Sequence, residues 1–143
     1  MSKKWISIPV ALVGALALFQ GQGSPDLAVE AIGTAGIATD SQTLQLSGSL
    51  QPTIRNLGGA ANSPFTVQVF EDRNGNAQFD AGTDNAVGST VIASLAAGAV
   101  ASPTINVAGT LLFAGNILYV RADSTNAIVE SNEANNTRFT GQN

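Results

Sequence analysis

Beyond Ser24 the chain never sustains one apolar pattern for long, and this limits what it can fold into. Short β-prone runs are cut every eight to twenty residues by clusters of Gly, Asn, Asp, Ser and Pro. Asp26–Ile32 comes first, then Thr43–Ser47 and Leu50–Asn56, which runs into Gly58-Gly59. Phe65–Phe70 alternates cleanly and puts Phe65, Val67 and Val69 on one face, as a half-buried strand requires. Val87–Leu95, Thr104–Val107, Ile117–Ala122, Ala127–Val129 and Thr137–Thr140 complete the set. Helical periodicity is missing past residue 23. The Ala-rich stretch 95–101 contains Gly98 and meets Ser102-Pro103, which mark it as a loop or an edge strand. Many short strands at this spacing predict an antiparallel sandwich or barrel rather than parallel α/β units. At 143 residues, 44% of them hydrophobic, the chain has the length of one domain and enough apolar material for a core.

Residues 1–23 stand apart. Lys3 and Lys4 precede an uncharged apolar run, Trp5–Phe19, and Gln20–Ser24 is small and polar. A basic start, a short apolar middle and a small-residue exit describe a secretory signal peptide, although Gly21-Gln22-Gly23 stands where Ala-x-Ala is usual. The run of 15 residues falls short of the roughly 20 that a bilayer-spanning helix needs, so no stable membrane span is expected. The alternative is a retained hydrophobic assembly segment. As a strand, Ile6, Ile8, Val10 and Leu12 form one apolar face suited to completing a neighbour's sheet. Pro9 lacks an N–H, so that position must face an unpaired edge. As a helix starting at Pro9, the same run would pack in a filament core.

Charge narrows the function classes. The two lysines lie in the N-terminal segment, which leaves four arginines against ten acids and a net charge of −6 for the body. Such a body repels phosphate backbones, which argues against nucleic-acid binding, and attracts divalent cations. Cys and His are absent, which removes disulfides, thiol nucleophiles, most zinc and haem chemistry and the usual general base. Paired carboxylates could still support glycosidase-type chemistry. A better use of the acids lies in the stretch from Asp72 to Asp84.

There Asp72, Asn74, Asn76 and Asp80 occupy alternating positions, with Gln78 between the last two and Asp84 beyond. Calcium takes six to eight hard oxygens from carboxylates, amide carbonyls and backbone carbonyls on a flexible loop. Donors at positions 1, 3, 5 and 9 can wrap around one ion, and Gly75 and Gly82 allow the tight turns. The pattern is similar to the Asp-x-Asn-x-Asn calcium loops of bacterial surface sandwiches. It departs from an EF-hand, because its glycine follows Asn74 and no Glu closes the loop. The other reading is a polar turn whose Asp and Asn side chains only cap backbone amides.

Three further landmarks occur in order: Pro25-Asp-Leu-Ala-Val, Pro52-Thr-Ile-Arg-Asn-Leu-Gly58, and Ala122-Asp-Ser-Thr-Asn-Ala-Ile-Val-Glu-Ser-Asn-Glu-Ala-Asn-Asn136. Together they resemble the CARDB family, cell-adhesion-related domains of bacterial and archaeal surface proteins, over residues 25 to about 140. The closing Glu-x-Asn-Glu-x-Asn-Asn is the most specific part. The resemblance implies a seven-stranded, immunoglobulin-like sandwich with a binding or spacer role and no enzyme activity. Read from its residues alone, the closing motif is a turn bracketed by Asp123 and Glu130, with Asn132, Asn135 and Asn136 as turn and strand-end residues or as ligand contacts.

The expectation is therefore an all-β, immunoglobulin-like antiparallel sandwich of about seven strands, over residues 24–143, behind a short hydrophobic segment. Its expected role is non-catalytic adhesion or extracellular assembly, secreted or at the cell surface and steadied by calcium. Its expected partners are copies of itself in a filament, or other surface proteins. A monomeric surface ligand-binding module and a secreted carboxylate-based hydrolase are the alternatives.

Overall fold

The computed structural model describes residues 23–141. The segment at 5–19, with Ile6, Ile8, Val10 and Leu12, lies outside them. Among the described residues there are ten strand segments and no helix: β1 (Leu27–Gly33), β2 (Ile37–Thr39), β3 (Gln45–Asn56), β4 (Phe65–Glu71), β5 (Asn85–Ile92), β6 (Val100–Ala101), β7 (Ile105–Asn106), β8 (Gly109–Thr110), β9 (Leu118–Arg121) and β10 (Thr137–Phe139). Every pairing between them is antiparallel.

The ten segments reduce to seven passes of the chain. Leu46 pairs with Thr39 of β2 on one side and Gly109 of β8 on the other. Ile54 likewise pairs with Val29 of β1 and Ala101 of β6. β3 is thus a central strand, flanked by β1 and β2 as one interrupted pass and by β6, β7 and β8 as another. The second sheet runs β10-β9-β4-β5. Three passes facing four is the immunoglobulin-like arrangement expected from the sequence.

Close approach explains how β3 reaches 12 residues instead of the two runs the sequence implies. Gly48 has φ +102°, and a Cβ there would lie 2.0 Å from the Gly36 carbonyl oxygen. Glycine lets the strand pass through that contact without breaking. Other boundaries move as well. The Val87–Leu95 run ends as a strand at Ile92, and Leu95 instead forms an isolated bridge with Ala61. Ala127–Val129 is not a strand, because the Asp123 carboxylate takes the N–H groups of Ala127 and Ile128 at 2.9 and 2.7 Å. The Ala-rich stretch does supply edge strand β6.

Strand parity builds the core. Leu27 and Val29, Leu46, Leu50 and Ile54, Phe65, Val67 and Val69, and Leu118 and Val120 all bury between the sheets. Each such side chain contributes about 1.5–3 kcal/mol relative to exposure. The same parity carries two polar residues inside, Asn56 and Glu71, both fully buried. Asn56 uses its whole amide. Its Oδ1 accepts from Asp26 N–H and Gly58 N–H, both at 3.1 Å, and its Nδ2 donates to the carbonyls of Gly59 at 2.6 Å and Leu95 at 2.9 Å. One side chain thus joins the start of β1, the turn after β3 and the 95–99 loop.

The outer face of the four-stranded sheet carries an aromatic row. Phe70 packs edge-on against Phe79 at 5.5 Å and stacks on Tyr119 at 5.4 Å, and Tyr119 leans on Phe139 at 5.7 Å. Phe79 belongs to the loop between β4 and β5, so this loop folds back over the sheet and covers Phe70 completely.

Candidate functional site

The 72–84 loop follows the last residue of β4, and its local order comes from carboxylates. Asp72 Oδ1 accepts the N–H groups of Asn74 and Gly75 at 3.2 and 2.7 Å, and its Oδ2 accepts Ala77 N–H at 2.7 Å. Asp80 Oδ2 accepts both side-chain amides, Asn74 Nδ2 at 2.7 Å and Asn76 Nδ2 at 2.6 Å. The Oδ1 atoms of those asparagines turn outward to cap Asn76 N–H and Gln78 N–H. Asp84 braces the base, accepting Arg73 N–H at 2.8 Å and Asp80 N–H at 2.7 Å. Gly75, Ala77 and Gly82 all take positive φ. The hydrogen bonds from Asn74 and then Asn76 hold the Asp80 carboxyl below its usual range.

Of the six candidate metal residues, Asn74 and Asn76 meet at Asp80, whereas Asp72 caps the backbone N–H groups of Asn74, Gly75 and Ala77. Asp84 is turned toward the loop's root, and Gln78 enters only through its backbone. Among the described residues no three carboxylates cluster tightly enough to hold a metal ion on their own. An ion here would depend on amide and backbone oxygens as well, which is chemistry that suits calcium better than magnesium.

Below the loop lies a residue the sequence reading passed over. Glu71 Oε1 accepts Leu112 N–H at 2.7 Å and the Asn116 amide, and its Oε2 accepts Arg73 Nε at 2.9 Å. Arg73 and Asn85 both reach on to the Thr110 carbonyl. Burial alone would raise this carboxyl, but the Leu112, Asn116 and Arg73 contacts outweigh it and hold the group below its usual range. The signal was available in the sequence: Glu71 continues the inward series Phe65, Val67, Val69, and Arg73 follows two residues later.

The closing motif is a latch on the first strand. Ser131 N–H donates to the Pro25 carbonyl at 2.9 Å and Val29 N–H to the Asn135 carbonyl at 3.2 Å, so residues 131–135 run parallel to 25–29. Asn135 Nδ2 donates to Asp26 at 2.7 Å, and Leu27 N–H donates to Glu130 Oε2. Asn136 Nδ2 reaches both Glu130 and Glu133 at 3.0 Å. Asp123, with φ +45°, caps the turn that begins the motif. Burial pushes the Glu130 carboxyl up to about 7; the Leu27 N–H opposes this, while the charge of Glu133 adds to it.

The CARDB family model matches residues 24–140. The CARDB domain of a Pyrococcus furiosus protein, crystallised in complex with di-metal ions, is 24% identical, with a TM-score of 0.54 over 81% of this chain and 84% of that one. A domain of a candidate cell surface protein from Methanosarcina acetivorans, solved in solution, is 26% identical, with a TM-score of 0.54 over 81% and 88%. No curated protein matches significantly. Among the described residues no helix is long and apolar enough to cross a membrane. The family match spans both sheets, from the residue before Pro25 to the residue after β10, and this chain belongs to the CARDB family.

Proposed function

We propose that this CARDB domain is a non-catalytic module of the cell exterior, working in adhesion or assembly, with calcium as a structural ion in its 72–84 loop. The observation that carries the calcium reading is the meeting of the Asn74 and Asn76 side chains at Asp80, in a loop that also holds Asp72 and in a body of net charge −6. Each ionised carboxylate has about four lone-pair sites, so the backbone caps leave acceptors over. An asparagine carries oxygen and nitrogen in equivalent positions, and Asn74 and Asn76 can offer either one to the centre. Calcium would neutralise the loop and reduce the entropy cost of ordering it. The di-metal ions of the Pyrococcus furiosus domain make metal loading of this fold worth testing.

Calorimetry and thermal unfolding after chelator treatment test it. Calcium at about a hundred times its Kd is expected to stabilise by about 2.7 kcal/mol, and Asp80→Ala abolishes the effect. A melting temperature unmoved by millimolar calcium refutes the reading.

Use of the carboxylates supports a non-catalytic role. Glu71 and Asp123 are fully buried and committed to backbone N–H donors. Reproducible turnover of a glycoside or ester, lost on removing an acid pair, would reverse that conclusion in favour of a hydrolase. Assembly into a filament has its own support in β5, an edge strand whose Val91 is 62% exposed. Such an edge accepts an added strand, and residues 5–19 carry the matching apolar face. N-terminal sequencing of secreted protein tests this. A start near Ser24 makes residues 1–23 a cleaved leader and ends the filament role for them. Retention of Ile6, Ile8, Val10 and Leu12 predicts that truncating 1–23 leaves folded monomers that no longer polymerise.

A further inference from the structure

The aromatic row ends in an open cleft of about 500 Å³ on the outer face of the four-stranded sheet. Two cross-strand pairs make its floor, Tyr119 opposite Phe139 and Arg121 opposite Thr137. One wall is the 76–78 tip of the candidate calcium loop, and the other is Glu133-Ala134 of the closing motif. Both walls are fixed in place, one by Asp72 and Asp80, the other by the bond that Asn136 Nδ2 donates to Glu133.

We propose that this cleft binds a neutral saccharide chain. The half-buried rings of Tyr119 and Phe139, 5.7 Å apart and tilted 47° to each other, give the floor an apolar surface. A pyranose ring has an apolar C–H face that can lie on an aromatic ring, and a rim of hydroxyls that both donate and accept. The cleft answers the rim as well. The Tyr119 and Thr137 hydroxyls and the Gln78 side-chain amide make no hydrogen bond among the described residues. Arg121 is held in place by Asn126 Oδ1 at 3.0 Å. Aromatic faces with a few polar groups around them are the usual make-up of a specific small-ligand site.

A peptide fits less well. Peptides that bind sheets pair along an open edge or sink apolar side chains into pockets, whereas this cleft lies on a sheet face between mainly polar walls. Charge in the lining nearly balances, with Arg121 and Arg138 against Glu133, and the body as a whole carries −6, which does not favour an acidic polymer. The proposal adds a ligand class to the adhesion role and does not depend on calcium.

The test is a titration of the ¹⁵N-labelled chain with cellohexaose, laminarihexaose and chitohexaose, each to about 10 mM, following amide shifts. At that concentration a Kd near 1 mM is saturating. The expected result is shifts from at least one oligosaccharide confined to residues 76–78, 119–121, 133–134 and 137–139. Tyr119→Ala weakens binding about tenfold. Gln78→Ala, at an exposed loop position that cannot disturb the core, weakens it several-fold, and Phe113→Ala on a distant loop leaves it unchanged. No shifts with any of the three sugars overturns the proposal. So does a response of the same residues to a proline-rich peptide with none to sugar. Calcium loading that fails while sugar binding persists sinks only the metal reading.

Discussion

Replacing Asn56 with Asp changes one NH₂ for an oxygen in a site with no exposure, so the cost follows from charge and hydrogen bonding alone. The two N–H donors to Oδ1, from Asp26 and Gly58, stay satisfied. The other oxygen now faces the carbonyls of Gly59 and Leu95, where Nδ2 donated at 2.6 and 2.9 Å. An ionised carboxylate there repels both carbonyls, so the folded state takes up a proton instead. That uptake caps the penalty: moving from an ordinary Asp pKa of about 3.9 to pH 7 costs about 4 kcal/mol. The protonated form donates to only one carbonyl, and the bond lost to the other adds about 1–2 kcal/mol. The expected loss is therefore about 5 kcal/mol at pH 7, comparable to the whole stability of a small domain. The pKa of the new group is raised in the folded state, so its penalty is nearly absent below about pH 4 and grows as pH rises. At pH 4 the loss shrinks to about 2 kcal/mol. Asn56→Ala, which has no titratable group, should show a pH-independent loss of about 3 kcal/mol. Urea denaturation followed by circular dichroism, with wild type as reference at each pH, measures all three. A loss for Asn56→Asp below 1 kcal/mol at pH 7, or one that does not change with pH, refutes the reasoning.

Glu130 gives a second pH effect. Its folded pKa of about 7 lies above the ordinary 4.5, so its contribution to stability is greatest below about pH 4.5 and is lost as pH rises through 7. The full shift corresponds to about 3 kcal/mol, halved to about 1.5 kcal/mol for a partly exposed carboxyl, and Glu130→Gln should flatten the stability profile between pH 5 and 8 by about that much. Gly48→Ala drives a methyl group into the Gly36 carbonyl at a φ that L-residues avoid; a loss of about 3 kcal/mol or more is expected by urea denaturation, and a loss under 1 kcal/mol would show that β3 can shift. Glu71→Ala frees Arg73, Leu112 N–H and Asn116 at once, and limited proteolysis should speed up in both the 72–84 and 111–117 loops; unchanged cleavage would assign their order to other contacts.

Alternation made much of this fold readable. Phe65, Val67 and Val69 announce the inward face of β4, and carrying the same count onward would have buried Glu71, just as Leu50, Ile54 and Asn56 follow one parity in β3. β2 and β8 escaped because strands of two or three residues carry no period; they exist only because β3 offers them edges. In the 72–84 loop, the spacing of Asp72, Asn74, Asn76 and Asp80 pointed to a turn held by side-chain oxygens, and Asn74 and Asn76 do meet at Asp80. It could not tell which lone pairs the backbone claims, nor that Phe79 would anchor the loop to Phe70. The cleft was invisible for a similar reason: its parts come from β9, β10 and two loops, and only sheet register brings them together. The latch was visible as a motif, while its partner strand, about a hundred residues away, was not.

The parallel run of 25–29 beside 131–135 also sets how the domain bears force. Opposed tension on the chain before Pro25 and after β10 slides these two segments past each other, because they point the same way. The Ser131–Pro25 and Val29–Asn135 bonds, with the side-chain ties of Glu130 and Asn135, then take the load together and must fail together. An antiparallel pair joined by a hairpin would instead peel one bond at a time. A domain that must stay folded under tension gains from the first geometry, and the closing motif is what provides it.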